Sequence, residues 1–120
     1  MKILVADDSK MARRMVMKIL QDCRDESDEI FEAQNGAEAV DLYKQHTPDV
    51  VFLDLTMPVM DGFEALKLIK AFDSKAQVVV VSADIQQGSM TQVREDGALD
   101  FVKKPINDVK MKQILEKIKV

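Results

Sequence analysis

The stretch Val50-Val51-Phe52-Leu53-Asp54-Leu55-Thr56-Met57-Pro58-Val59-Met60-Asp61-Gly62 decides how the chain is read. Its first four residues are apolar without alternation, the pattern of a short strand covered on both faces. An acid ends the run. Asp61-Gly62 then punctuates a loop, and Phe63, Leu66 and Ile69, with Lys70, follow at helical spacing. The stretch thus predicts a buried strand, an acid at its carboxyl end, a loop and a helix.

The same unit recurs in both directions. Ile3–Ala6, Ile30–Ala33, Val78–Ser82 and Phe101–Lys103 are further short apolar runs bounded by acidic, Gly or Pro residues, and they read as strands. The run at 30–33 is the weakest, because Glu29 and Glu32 break it. Helical spacing fills the intervals. Met11, Met15, Ile19 and Leu20 form one stripe, with Ser9 as its N-cap and the two methionines read as core. Ala37, Val40 and Tyr43 form a second after Asn35-Gly36, residues 85–95 a fourth and the least apolar, and Val109, Ile114, Leu115 and Ile118 a fifth. Five alternating βα units require right-handed crossovers and a parallel sheet with helices on both faces. The expected fold class is therefore α/β, a doubly wound five-stranded parallel sheet of order 2-1-3-4-5 in a three-layer αβα arrangement.

The 120 residues are expected to form one domain spanning 1–120, with no output domain. Cys23 is the only cysteine, which rules out an intramolecular disulfide and a Cys-based metal site. The longest apolar run, Val78–Val81, is too short to cross a bilayer. Lys2-Ile3-Leu4-Val5, cut off by Asp7-Asp8, reads as a strand and not a signal peptide. These features suit a cytoplasmic protein without membrane insertion. Net charge is −4. Residues 1–100 hold 11 basic and 19 acidic side chains, and residues 101–120 hold 6 and 2. An acidic chain without aromatics interleaved among its lysines does not have a nucleic-acid footprint. The basic end is read as a solvated lysine face of the last helix.

In an open parallel sheet, ligands sit beyond the carboxyl ends of the strands. Asp7 and Asp8 end the first strand and Asp54 the third, and these strands would be neighbours. Three converging carboxylates repel and raise one another's pKa values, a penalty that a hard divalent cation such as Mg²⁺ removes. Such a cation would also screen an approaching phosphoryl group, making Asp54 a nucleophile that forms an aspartyl phosphate. Ser82 and Lys104 close the fourth and fifth strands, where a hydroxyl and an ammonium would meet phosphoryl oxygens. Pro105 fixes the turn behind Lys104. Each residue alone has an ordinary reading: a helix-dipole pair for Asp7-Asp8, a helix cap for Ser82, a surface lysine for Lys104. Their joint placement at the ends of four strands gives the set its specificity.

Those residues resemble the receiver domain of response regulators, over the whole chain. The resemblance is carried by Asp7-Asp8-Ser9, by Asp54-Leu55-Thr56-Met57-Pro58-Val59-Met60-Asp61-Gly62, by Ser82-Ala83 and by Lys104-Pro105. It implies a flavodoxin-like (βα)5 fold, Asp54 as phosphoacceptor, and Mg²⁺, with Mn²⁺ as a substitute, held by Asp7, Asp8, Asp54 and the backbone carbonyl of Thr56. It also implies Ser82 as the switch hydroxyl, Lys104 as the phosphoryl partner and Phe101 at the aromatic switch position. Phe101 lacks the hydroxyl of the tyrosine found in many relatives, so packing alone is left to it. Thr56 and Asp84 fall where the family tunes dephosphorylation.

The implied function is a stand-alone two-component response regulator. It would take phosphate from a histidine kinase or histidine phosphotransfer protein and switch a docking surface on the fourth helix, fifth strand and fifth helix. Chemotaxis is one setting, with a flagellar motor switch as target and a phosphatase as a further partner; a phosphorelay intermediate is the alternative. A monomer is expected, with dimerisation on phosphorylation open. The domain would catalyse only its own modification and so is not classed as an enzyme. An aspartyl-phosphate phosphohydrolase of the haloacid-dehalogenase kind is less suited, because its second acid would stand where Thr56 does. A receiver-like scaffold that never takes phosphate is a further reading, and the complete acid set argues against it. Neither a Walker loop nor a dinucleotide fingerprint is present. His46 reads as a cation at a helix C-terminus, Cys23 as a small packed thiol, and Met57 and Met60 as residues shaping access to Asp54.

Overall fold

The computed structural model describes residues 1–24, 28–83 and 86–119. Five strands and five helices alternate: β1 (Lys2–Ala6), α1 (Lys10–Cys23), β2 (Glu29–Ala33), α2 (Gly36–His46), β3 (Val50–Leu53), α3 (Gly62–Phe72), β4 (Val78–Ser82), α4 (Gln87–Glu95), β5 (Asp100–Lys103) and α5 (Asp108–Lys117). All four strand pairings are parallel, in the order β2-β1-β3-β4-β5, as the alternation of elements predicts. The flavodoxin-like arrangement places the turn of strand order between β1 and β3.

The unalternated runs are buried on both sides. Val50, Val51, Leu53, Val78, Val79 and Val80 have no exposed surface. Ile3, Val5, Phe52 and Val81 pack under α1 and α5 with Val16, Leu20, Met111 and Ile114. Leu4, Ala6, Val51 and Leu53 pack under α2, α3 and α4 with Val40, Tyr43, Leu66, Ile69 and Val93.

Two expected stripes hold in part: Ile19, Leu20, Ile114, Leu115 and Ile118 pack on the core, and the residues nearer the helix starts do not. Met11 and Met15 are 74% and 46% exposed, and the buried line of α1 is Arg13, Val16 and Leu20. Apolar residues ring this helix, so periodicity alone placed Met11 and Met15 on the wrong line; α1 turns the 13-16-20 line toward the sheet. In α5, Val109 is 62% exposed and Met111 and Ile114 are buried. Met57 is buried and Met60 half-buried, both on the α2–α3 side of the core, so they support the loop from beneath.

Helix starts follow local capping chemistry. The Ser9 hydroxyl accepts from the Ala12 amide at 3.2 Å. Asn35 accepts from Glu38 at 2.9 Å, and Asp61 from Glu64 at 3.0 Å. His46 ends α2 and stacks on Phe31 of β2 with ring centroids 4.0 Å apart. Thr47 caps α2 in the left-handed region at φ 43°. At the amino end of the sheet, the Tyr43 hydroxyl donates to Asp73 at 2.8 Å, joining α2 to the end of α3. Burial, and then the Asp73 carboxylate, hold the Tyr43 phenol well above its ordinary range, and the phenol in turn holds Asp73 below the usual carboxylate range.

The loop carrying the acid of β3 is folded back tightly. The Gly62 amide donates to the Leu55 carbonyl at 2.9 Å. A Cβ on Gly62 would lie 2.1 Å from the Asp54 carbonyl oxygen, and one on Gly36 would lie 2.3 Å from that of Met60. Val59 sits at φ 69°, and the Met60 amide reaches the Pro58 carbonyl at 2.7 Å, a strained γ-turn for a β-branched residue. Gly62→Ala must push the backbone of the acid itself. It is expected to cost about 3 kcal/mol or more, read as a lowered urea midpoint at unchanged m-value.

Candidate functional site

Strand register builds the site. Ala6 pairs with Leu53, so Asp7 and Asp54 are the next residues out on adjacent strands. Their amides complete the ladder, Asp7 N–H to the Ala33 carbonyl and Asp54 N–H to the Ala6 carbonyl, each at 3.0 Å. Ser82 pairs with Lys103, and the Lys104 amide donates to the Ser82 carbonyl at 2.9 Å. The ends of β1, β3, β4 and β5 are thus locked side by side before any side chain acts.

Asp7, Asp8 and Asp54 each offer a carboxylate oxygen within 4.8 Å of the others. Asp7 and Asp54 are buried, while Asp8 is exposed. The Lys104 ammonium lies 2.6 Å from Asp7 Oδ2 and 3.5 Å from Asp54 Oδ1. The other Asp7 oxygen accepts the Ser9 amide at 2.9 Å. Burial, and then the charge of Asp7, push the Asp54 carboxyl above its ordinary value; Lys104 and the Leu55 amide pull the other way without prevailing. For Lys104, burial works against the ammonium, but the two carboxylates outweigh it and its pKa is raised.

Ser82 is buried, with 3% exposure. The N-cap position of α4 is Gln86, whose side chain does not make the capping hydrogen bond. Thr56 is exposed, two residues beyond Asp54. Phe101 pairs with Val80 and is already buried in the core on the α2–α4 side. Asp84 lies outside the described residues, as does Ile85 at the expected start of the fourth helix. Cys23 is the last residue of α1 and half-buried, as a packed thiol should be. Met11, Met15 and Lys18 of α1 are exposed, and Met15 reaches the site: with Ala12 it lines a hollow shared with Lys104, Pro105 and Ile106. The Lys104–Pro105 peptide is cis.

One residue of the site's support escaped sequence reading. Arg13 is 6% exposed and hydrogen-bonds the Asp7 carbonyl. The available signal was its position, three and seven residues before Val16 and Leu20, where a cation needs a partner.

Three oxygen-donor acids fit a hard divalent cation and not a soft one. Closely spaced acids at the carboxyl edge of a doubly wound sheet, with a lysine bridging two of them, suit a divalent cation and an anionic group beside it. Comparison with known proteins specifies the class. The family model of the response regulator receiver domain matches residues 3–116. The chain is 42% identical over 117 residues to the chemotaxis protein CheY of Listeria monocytogenes, covering 98% of this chain and 97% of that one. It is 40% identical over 116 residues to the chemotaxis protein CheY of Bacillus subtilis, covering 97% and 95%. A crystal structure of the CheX–CheY–BeF3–Mg²⁺ complex from Borrelia burgdorferi superimposes with a TM-score of 0.85 at 33% identity, over 95% of this chain and 85% of that one. The chain belongs to the response regulator receiver domain family of two-component signalling.

The electrostatics set a pH dependence. The Asp54 pKa is raised in the folded state above its ordinary value of 3.8, so the folded chain binds the proton more tightly than the unfolded chain. Its ionisation therefore lowers stability as pH rises from that value through the raised one. In Mg²⁺-free buffer at pH 7, Asp54→Asn is expected to melt at a higher temperature than the wild type. The difference should vanish when melts are repeated below pH 3.8.

Proposed function

We propose that Asp54 is the phosphoacceptor and that this domain works as a phosphorylation switch. The reading rests on one observation: Asp7, Asp8 and Asp54 meet within 4.8 Å, with Lys104 bridging Asp7 and Asp54. An Oδ of Asp54 forms the new O–P bond while the donor's P–N or P–O bond breaks, and the departing imidazole or carboxylate keeps the electron pair. Asp7, Asp8, Asp54 and the Thr56 carbonyl would hold Mg²⁺, or Mn²⁺ in its place. When bound, the cation supplies positive charge against the phosphoryl oxygens. Lys104 supplies a second positive charge from the β5 side and can follow Asp54's phosphoryl group because it already reaches that carboxylate. Ser82 donates to the phosphoryl group from β4. Because the Lys104 amide is bonded to the Ser82 carbonyl, the two act as a unit.

The output is a changed surface on α4, β5 and α5. Phe101 starts from a buried position, in a core that Met90 and Ala98 also join, so its part is a repacking and not a swing in from solvent. Thr56 and Asp84, each two residues beyond a strand-end site residue in sequence, tune the lifetime of the phosphate. The domain has no substrate besides its own aspartate. A histidine kinase is the phosphate source, directly or through a phosphotransfer protein. The close chemotaxis relatives favour a flagellar motor component as target, and the Borrelia relative's assembly with CheX favours a further protein partner that reads or removes the phosphate.

Incubation with acetyl phosphate and Mg²⁺ followed by mass spectrometry should give a labile phosphoryl adduct on the wild type and none on Asp54→Asn; an equal adduct on both would refute the assignment. The donor's approach can be tested separately. Lys10, Met11, Arg14, Met15 and Lys18 form an open apolar and basic strip on α1, suited to a helical donor with acidic flanks. Met15→Glu combined with Lys18→Glu should slow phosphorylation by the cognate kinase about tenfold or more, the effect of like charges meeting at an interface. Autophosphorylation from acetyl phosphate should be unchanged.

A further inference from the structure

We propose that Arg13 is a positioning residue for the acids of the site: it fixes the peptide joining Asp7 to Asp8, and Glu32 fixes Arg13. This rests on the reading of Asp7, Asp8 and Asp54 as the divalent-cation site.

Arg13 lies on the buried line of α1, with a side chain 8% exposed. Its Nη1 donates to the Asp7 carbonyl at 2.7 Å, and its Nε donates to Glu32 Oε1 at 3.0 Å. A planar guanidinium can hold both acceptors at once, whereas a lysine ammonium at that position would be a single point. The carbonyl it takes belongs to the Asp7–Asp8 peptide. That unit is planar, so fixing its oxygen fixes the direction in which the chain leaves toward Asp8. The remaining polar atoms of Asp7 are held by other elements: its amide by Ala33, Oδ1 by the Ser9 amide, Oδ2 by Lys104. Those bonds set Asp7 itself. The contact from Arg13 orients the step from the buried acid to the exposed one. Glu32, on β2 opposite Val5, anchors the far side of the fork, which accounts for one of the two acids of that strand.

An arginine on an apolar helix line is costly unless its partners give something in return. If its value were packing alone, an unbranched apolar side chain would serve. If its influence on the cation were Coulombic alone, removing a positive charge near the acids would tighten cation binding. Positioning predicts the opposite sign: a loosened Asp7–Asp8 step separates the ligands and weakens binding.

The test is calorimetric titration of the intact protein with MgCl₂, for the wild type, Arg13→Met, Arg13→Lys and Glu32→Gln, each checked by melting without the ion. Arg13→Met is expected to bind Mg²⁺ about tenfold more weakly, the usual effect of removing a group that orients metal ligands. Arg13→Lys should fall between it and the wild type, and Glu32→Gln should shift the same way by a smaller factor. The Ser9 amide, bonded to Asp7 Oδ1, should exchange faster in Arg13→Met. Affinity equal to or tighter than wild type in Arg13→Met overturns the proposal. If that variant does not fold, Arg13→Lys decides, since it keeps the charge and removes only the planar fork: weaker binding supports the proposal and unchanged binding overturns it. Absence of Mg²⁺ binding by the wild type would instead remove the cation site itself, and this proposal with it.

Discussion

Crowding of like charges at one end of the sheet governs this molecule. Parallel pairing of β1 with β3 brings Asp7 and Asp54 together, and neither burial nor register allows them to separate. Lys104 partly relieves the repulsion, yet burial and Asp7 still dominate at Asp54. A site with unspent repulsion is poised to gain from any cation that enters and from any chemistry that the cation assists. The remainder of the fold keeps the acids close: glycines where the backbone needs contact, paired strand ends, and a buried arginine beneath the first turn.

The cluster also explains the division of labour between the two faces. On the α1–α5 face, α1 follows the turn that carries Asp7 and Asp8, and Met15 of its open strip lines a hollow with Lys104. On the other face, β5 places Phe101 in the same core as α4's Val93. The acid edge is therefore bordered by α1 on one side and by the α4–β5 core on the other. The shared bond between the Lys104 amide and the Ser82 carbonyl couples the strands that lead to that second face.

Most of the fold was legible because its strands are short, unalternated and bounded by acids or glycines. The five-unit alternation, sheet order and strand-end acids followed directly. The starts of the buried faces of α1 and α5, at Met11, Met15 and Val109, did not. Methionines at 11, 15 and 17 surround α1, so an apolar count cannot tell the line toward the sheet from the line toward solvent. Arg13 was missed for a related reason. A basic residue is ordinarily assigned to the exposed side, and only its bonds to Asp7 and Glu32 reveal why it is inside. The tight return of the loop against Asp54 was partly visible in Asp61-Gly62. That Gly62 must be glycine follows from contact with a backbone eight residues away in sequence, which no local pattern records.

Tyr43 has a practical consequence for optical work. It is the only tyrosine, and the chain has no tryptophan. Its hydroxyl is tied to Asp73 at the amino end of the sheet, across the domain from the acids. Ultraviolet emission from the native protein thus originates far from the chemistry. It will register loss of the α2–α3 seam on denaturation while remaining largely silent to ions or phosphate, and following those by light requires an indole placed deliberately near the acid edge.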